Sequence, residues 1–112
     1  MIIEDNEDIL TLISLALEER GYTVIAGSDG RLLHEIPIHQ PDLILIDNVL
    51  KHDTGNNLCL RLKTDPDTMH VPIVLVSAHI ALDEMALACG ADACLSKPFG
   101  ISDLLKLVRR FV

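Results

Sequence analysis

At 112 residues the chain has room for one domain and not for a second, and with 49% hydrophobic residues, no tryptophan and 3% aromatics its core must be aliphatic. A formal charge of −8 argues against a nucleic-acid surface, which relies on clustered Lys and Arg; the one basic pair, Arg109-Arg110, reads as a solvated helix end. Cys59, Cys89 and Cys94 lack Cys-x-x-Cys spacing, the five histidines lack ligand spacing, and no apolar run approaches the roughly 20 residues of a membrane span. The expectation is therefore a soluble cytoplasmic protein without a disulfide framework, zinc site or signal peptide.

The first strand is Met1-Ile2-Ile3, ending at Glu4-Asp5. Apolar residues at Ile9, Leu12, Ile13, Ala16 and Leu17 predict a helix over Glu7–Arg20, with acids in its first turn and Gly21 closing it. A second strand, Tyr22–Ala26, stops at Gly27-Ser28-Asp29-Gly30, and a shorter helix over Arg31–Ile38 is weakened by Pro37. Leu43-Ile44-Leu45-Ile46 is apolar at every position, which fits a parallel strand buried on both faces, and Asp47 stands where it stops. A polar loop from Asn48 to Gly55 follows, too long for a tight turn, and then a helix over Asn57–Lys63. Val71–Val76 is a fourth strand stopping at Ser77, Ile80–Cys89 a helix closed by Gly90, Ala93–Ser96 a fifth strand ending at Lys97-Pro98-Phe99, and Ser102–Phe111 the last helix.

Strands alternating with helices imply α/β architecture: a doubly wound five-stranded parallel sheet with helices on both faces and right-handed crossovers. In such a sheet Glu4-Asp5, Asp47, Ser77 and Lys97 all emerge at the carboxyl edge, where ligands bind. The second strand ends in Gly27-Ser28 and adds nothing ionisable, as the order 2-1-3-4-5 would require. Three carboxylates so close cannot all stay ionised unaided, and a divalent cation resolves the conflict. Mg²⁺ prefers oxygen ligands, uses one or two carboxylates and shares its shell with phosphate oxygens. Lys97 and Ser77 supply a cation and a hydroxyl suited to phosphoryl oxygens, and Asp47, on the central strand, would be the nucleophile.

Ile3-Glu4-Asp5-Asn6, Asp47 with Gly55 eight positions on, Val76-Ser77-Ala78, Gly90-Ala91-Asp92 and Lys97-Pro98-Phe99 together resemble the receiver domain of two-component response regulators, over the whole chain and in order. The resemblance implies a flavodoxin-like fold and a phosphoprotein that takes a phosphoryl group onto Asp47 from a phosphohistidine on a histidine kinase or histidine phosphotransfer protein. It further implies Mg²⁺ bound by Asp5, Asp47 and the Val49 carbonyl, with Glu4 acting through water. Ser77 and Lys97 would contact the phosphoryl oxygens, and Lys97-Pro98 would be cis. The protein would then be no enzyme beyond its own phosphorylation and dephosphorylation, without membrane or nucleic-acid contact. Two positions flank the hydrolytic water in the family, here Val49 and His79; His79 either orients that water or merely faces solvent.

The chain departs from the family at three places. Cys94 replaces the usual aromatic residue three before the lysine, which puts the relay to the fourth helix in question. Lys51 stands where proline is common, implying a looser loop. The chain also ends with the fifth helix, so the expected role is a single-domain receiver that signals to a partner or relays the phosphoryl group. The alternative is a receiver-like module that binds partners without phosphorylation. A phosphatase of the haloacid dehalogenase type fits less well, since it usually has a second Asp where this chain has Val49.

Overall fold

The structure, a computed structural model, describes residues 1–112. Five parallel strands, β1 (Ile2–Ile3), β2 (Ala26–Gly27), β3 (Ile44–Asp47), β4 (Ile73–Ser77) and β5 (Ala93–Ser96), form one sheet in the order β2-β1-β3-β4-β5. Five α-helices connect or follow them: α1 (Glu7–Glu18), α2 (Ile36–His39), α3 (Gly55–Thr64), α4 (Leu82–Cys89) and α5 (Ile101–Arg109). No helix is long and apolar enough to cross a membrane.

The period-two alternation of the strands divides the core into two layers. Ile2, Leu45, Val74, Val76 and Leu95 meet Ile13 and Leu17 of α1 and Leu104, Leu105, Leu107 and Val108 of α5. Ile3, Ile44, Ile46, Ile73 and Leu75 face the other way, against Ile36 of α2, Leu58 and Cys59 of α3, and Leu82, Ala86 and Cys89 of α4. Each such side chain contributes about 1.5–3 kcal/mol by leaving water, so the central strands are the most firmly held part of the molecule. The three cysteines are free. Burial, and then the neighbouring Cys89, push the Cys59 thiol up to about 12, so it stays protonated and behaves as a small apolar side chain.

The observed boundaries follow pairing more than local pattern. The strand expected over Tyr22–Ala26 is only Ala26–Gly27, because β1 offers two residues and the register Ile2↔Ala26, Ile3↔Gly27 exhausts them. Tyr22 and Val24 still pack on the core from outside the ladder. The helix expected over Arg31–Ile38 is a 3-10 turn, Gly30–Glu35, capped by Asp29, followed by α2 with Pro37 in its first turn. A proline is harmless there, because that N–H would have no helical partner. Gly21, at φ +88°, closes α1 as expected: its N–H reaches the Glu18 carbonyl while that of Tyr22 reaches Leu17. Between α3 and β5, Lys63 Nζ lies 2.7 Å from Asp92 Oδ2 and donates to the Val71 carbonyl at 2.7 Å, while Asp92 accepts the Ile73 N–H. That ion pair pins the start of β4.

Candidate phosphoacceptor site

Asp47 is the last residue of β3, beside Val76 of β4, and its side chain is buried with 6% of the residue exposed. Its Oδ2 accepts the Val49 N–H at 3.0 Å, and its Oδ1 lies 2.7 Å from Lys97 Nζ. The same ammonium donates to Glu4 Oε1 at 2.9 Å. Glu4 directly follows β1, is buried, and leaves its other oxygen, Oε2, without any partner. Asp5 is half-buried next to it, and ligand atoms of Glu4, Asp5 and Asp47 lie within 4.8 Å of one another. The sheet order therefore brings together the four charged residues read from the sequence.

The electrostatics are set by one amine among three acids. Burial pushes the Glu4 carboxyl above its ordinary value; the hydrogen bond from Lys97 opposes that rise and the charge of Asp47 adds to it. For Lys97 burial works in the lowering direction, but hydrogen bonds to Asp47 and Glu4 and their charges outweigh it, so its pKa lies above that of an ordinary lysine. Lys97 reaches this position after β5, where its N–H donates to the Ser77 carbonyl at 2.9 Å and the Lys97-Pro98 peptide is cis. Ser77 ends β4, buried, and its hydroxyl accepts the His79 N–H at 3.0 Å, which leaves its own proton free to be donated.

A single lysine leaves a surplus of negative charge. The orphaned, buried Glu4 Oε2 beside Asp5 and Asp47 is an all-oxygen donor set short of a cation, which fits Mg²⁺ and not a softer metal.

Two residues matter here more than their sequence pattern suggests. Asn48 is buried; its carbonyl accepts the Gly55 N–H at 2.9 Å and its Oδ1 the Asn56 N–H at 3.0 Å, so it ties the loop after Asp47 back onto α3. A Cβ at Gly55 would stand 2.5 Å from the Asp47 carbonyl oxygen and 2.8 Å from Asn48 Cα, both backbone atoms that cannot swing away. We expect Gly55→Ala to destabilise the domain by about 2 kcal/mol, in the range of overpacked sites, read as a lowered urea midpoint at unchanged slope. A midpoint equal to the parent's would show that the backbone yields freely there.

The three departures also have structural outcomes. Lys51 is exposed, in a loop closed on either side by the Val49–Thr54 bridge and by Asn48. Cys94 donates from Sγ to Asp83 Oδ1 at 3.2 Å, so a thiol from β5 meets the first turn of α4 at the aromatic position. His79 is exposed, and its Nδ1 accepts the Ala81 N–H at 3.0 Å, which places the ring proton on Nε2. Of the candidate ligands, Val49 has only backbone atoms to offer, and the residue is 70% exposed.

A doubly wound sheet presenting two buried carboxylates, a third acid, a hydroxyl and an amine at its carboxyl edge has the architecture of a signalling receiver. Comparison with known proteins agrees: residues 1–109 match the family described as response regulator receiver domain, and the chain belongs to it. It is thus a receiver domain of two-component signalling. Over 112 residues it is 34% identical to the DNA-binding dual master transcriptional regulator RpaA of Synechocystis, a match that takes in 97% of this chain and 46% of RpaA. The chain spans about half the length of that relative. It is 30% identical to the polar-differentiation response regulator DivK of Brucella anthropi, covering 100% of this chain and 94% of DivK. Among solved structures, the receiver domain of a sensor histidine kinase from Pseudomonas aeruginosa, with a magnesium ion coordinated in its active-site cleft, matches with a TM-score of 0.86 at 28% identity, over 98% of this chain and 93% of that one. Receiver domains bind Mg²⁺ in an acidic pocket and accept phosphoryl groups from histidine kinases.

Proposed function

We propose that Asp47 is the phosphoacceptor of this domain, charged from a phosphohistidine of a histidine kinase or phosphotransfer protein. The observation that carries the reading is the placement of Lys97 Nζ, 2.7 Å from Asp47 Oδ1 and 2.9 Å from Glu4 Oε1, at the carboxyl edge of the central strand. A carboxylate oxygen of Asp47 attacks phosphorus; the new P–O bond makes an acyl phosphate as the P–N bond breaks, and the released imidazole nitrogen takes up a proton. Lys97 is close enough to follow the negative charge from the carboxylate onto the phosphoryl oxygens, and the free proton of Ser77 can be donated there. Asp5, Asp47 and the Val49 carbonyl would hold Mg²⁺, with Glu4 through water, and the ion would neutralise charge on the transferring group. Incubation with Mg²⁺ and a small phosphodonor, followed by intact mass, tests the assignment: one phosphoryl mass is expected on the parent and none on Asp47→Asn. Retention of the added mass in that variant would falsify it.

The lifetime of the acyl phosphate should depend on Val49 and not on His79. An apolar Val49 can neither accept a proton from water nor orient it, whereas an amide can, so Val49→Asn is expected to speed loss of the phosphoryl group several-fold. The Nδ1 of His79 is already committed to the Ala81 N–H, so His79→Ala should leave the decay unchanged. Decay after donor removal, in Mg²⁺ at neutral pH, checks both; slower loss in His79→Ala would mean that Nε2 handles the water.

A further inference from the structure

Four of the nine basic side chains, those of Arg31, Arg61, Lys63 and Lys97, stand in ion pairs with Asp or Glu. Of the other five, Arg20, Lys106, Arg109 and Arg110 lie at the C-terminal ends of α1 and α5. Each helix runs back against the strands, so both ends lie at the edge of the sheet opposite Asp47. Arg20 and Arg109 converge there on a cleft of about 150 Å³, lined also by Tyr22 and Leu105. Lys106 is three residues before Arg109 and shares its helix face.

A chain of net charge −8 has acids to spare, yet neither guanidinium has one. The C-terminal ends of two helices carry roughly half a negative charge each, which offsets only about one of the two arginines. What is left is a forked, positively charged cleft bordered by Tyr22 and Leu105, in a molecule whose opposite edge is acidic. Guanidinium forks match carboxylates in pairs of parallel hydrogen bonds, which point charges on lysine do not.

We propose that this cleft is a second recognition site, one that takes the carboxylate side chains of an acidic segment of a partner protein, held between Arg20 and Arg109. Charge complementarity sets the partner's chemistry, and the location lets it bind without covering Asp47.

The test is an amide-resonance titration of the labelled protein with hexaglutamate, with inorganic phosphate and sodium chloride at matched ionic strength as controls. Saturable shifts centred on residues 20, 22, 105 and 109 with hexaglutamate are expected, weakened at least tenfold in the Arg20→Ala, Arg109→Ala double variant, whose spectrum also reports that it is folded. The Arg20→Lys, Arg109→Lys double variant should retain the charge and still bind several-fold more weakly. Shifts no larger than those with chloride, equal binding by the alanine variant, or a response to phosphate without one to hexaglutamate would each overturn the proposal.

Discussion

Replacing Lys97 with methionine should cost about 3–5 kcal/mol of stability in the absence of divalent cations, the loss typical when one member of a buried charge cluster is removed. The lysine side chain is 23% exposed, and its two partners, Glu4 and Asp47, are 4% and 7% exposed, so water cannot take over its role. Methionine keeps most of the stem and removes the charge, so lost packing contributes little. The two carboxylates would then face each other and Asp5 with no cation. Millimolar Mg²⁺ should recover part of the loss, since it supplies charge at the same place. Urea unfolding of parent and variant, each with and without Mg²⁺, separates this from a lysine that acts on the phosphoryl group alone: in that case the metal-free curves would coincide. A folded variant in Mg²⁺ should also take up the phosphoryl group on Asp47 yet show a weakened response in the β4–α4 segment.

The fold was legible wherever burial on both faces left a continuous apolar run, as in Leu43–Ile46 and Val71–Val76, because no other element of that length fits such a pattern. Glu4, Asp5, Asp47, Ser77 and Lys97 were legible for a related reason: each stands just past an apolar run, and parallel strands place the ends of all such runs at one edge. Properties that depend on distance were hidden. The length of β2 is set by how many residues β1 offers, which the pattern of Tyr22–Ala26 does not contain. Gly55 could be seen as a glycine at a given spacing, but not as a position where the Asp47 carbonyl would stand 2.5 Å from a Cβ. Asn48 looked like any loop residue, and only its burial and two accepted N–H groups make it a fastening of the loop after Asp47. The Cys94–Asp83 hydrogen bond joins residues eleven apart on different elements, and no local signal marks it.

Glu4 should make the metal-free domain less stable as pH rises, and Mg²⁺ should reverse the trend. Burial, helped by the Asp47 charge, raises its carboxyl pKa in the folded state above the value in the unfolded chain, against the hydrogen bond from Lys97. Between the two values the folded state holds more protons than the unfolded one, so stability falls with rising pH across that interval and is flat outside it. The orphaned Oε2 is the atom that bears the cost, and it is also the atom a hydrated cation can satisfy. At a Mg²⁺ concentration about a hundredfold above its dissociation constant, the domain should gain about 2.7 kcal/mol, with the larger gain on the alkaline side of the interval. Glu4→Gln carries no charge to desolvate, so its metal-free stability should be equal to or above the parent's at neutral pH, its slope across the interval should flatten, and its gain from Mg²⁺ should shrink. Unfolding midpoints from pH 4 to 8, with Mg²⁺ and with a chelator, measure all three. A Gln variant that loses stability in chelator while keeping the full gain from Mg²⁺ would show that Glu4 acts only as a structural partner of Lys97 and takes no part in holding the ion.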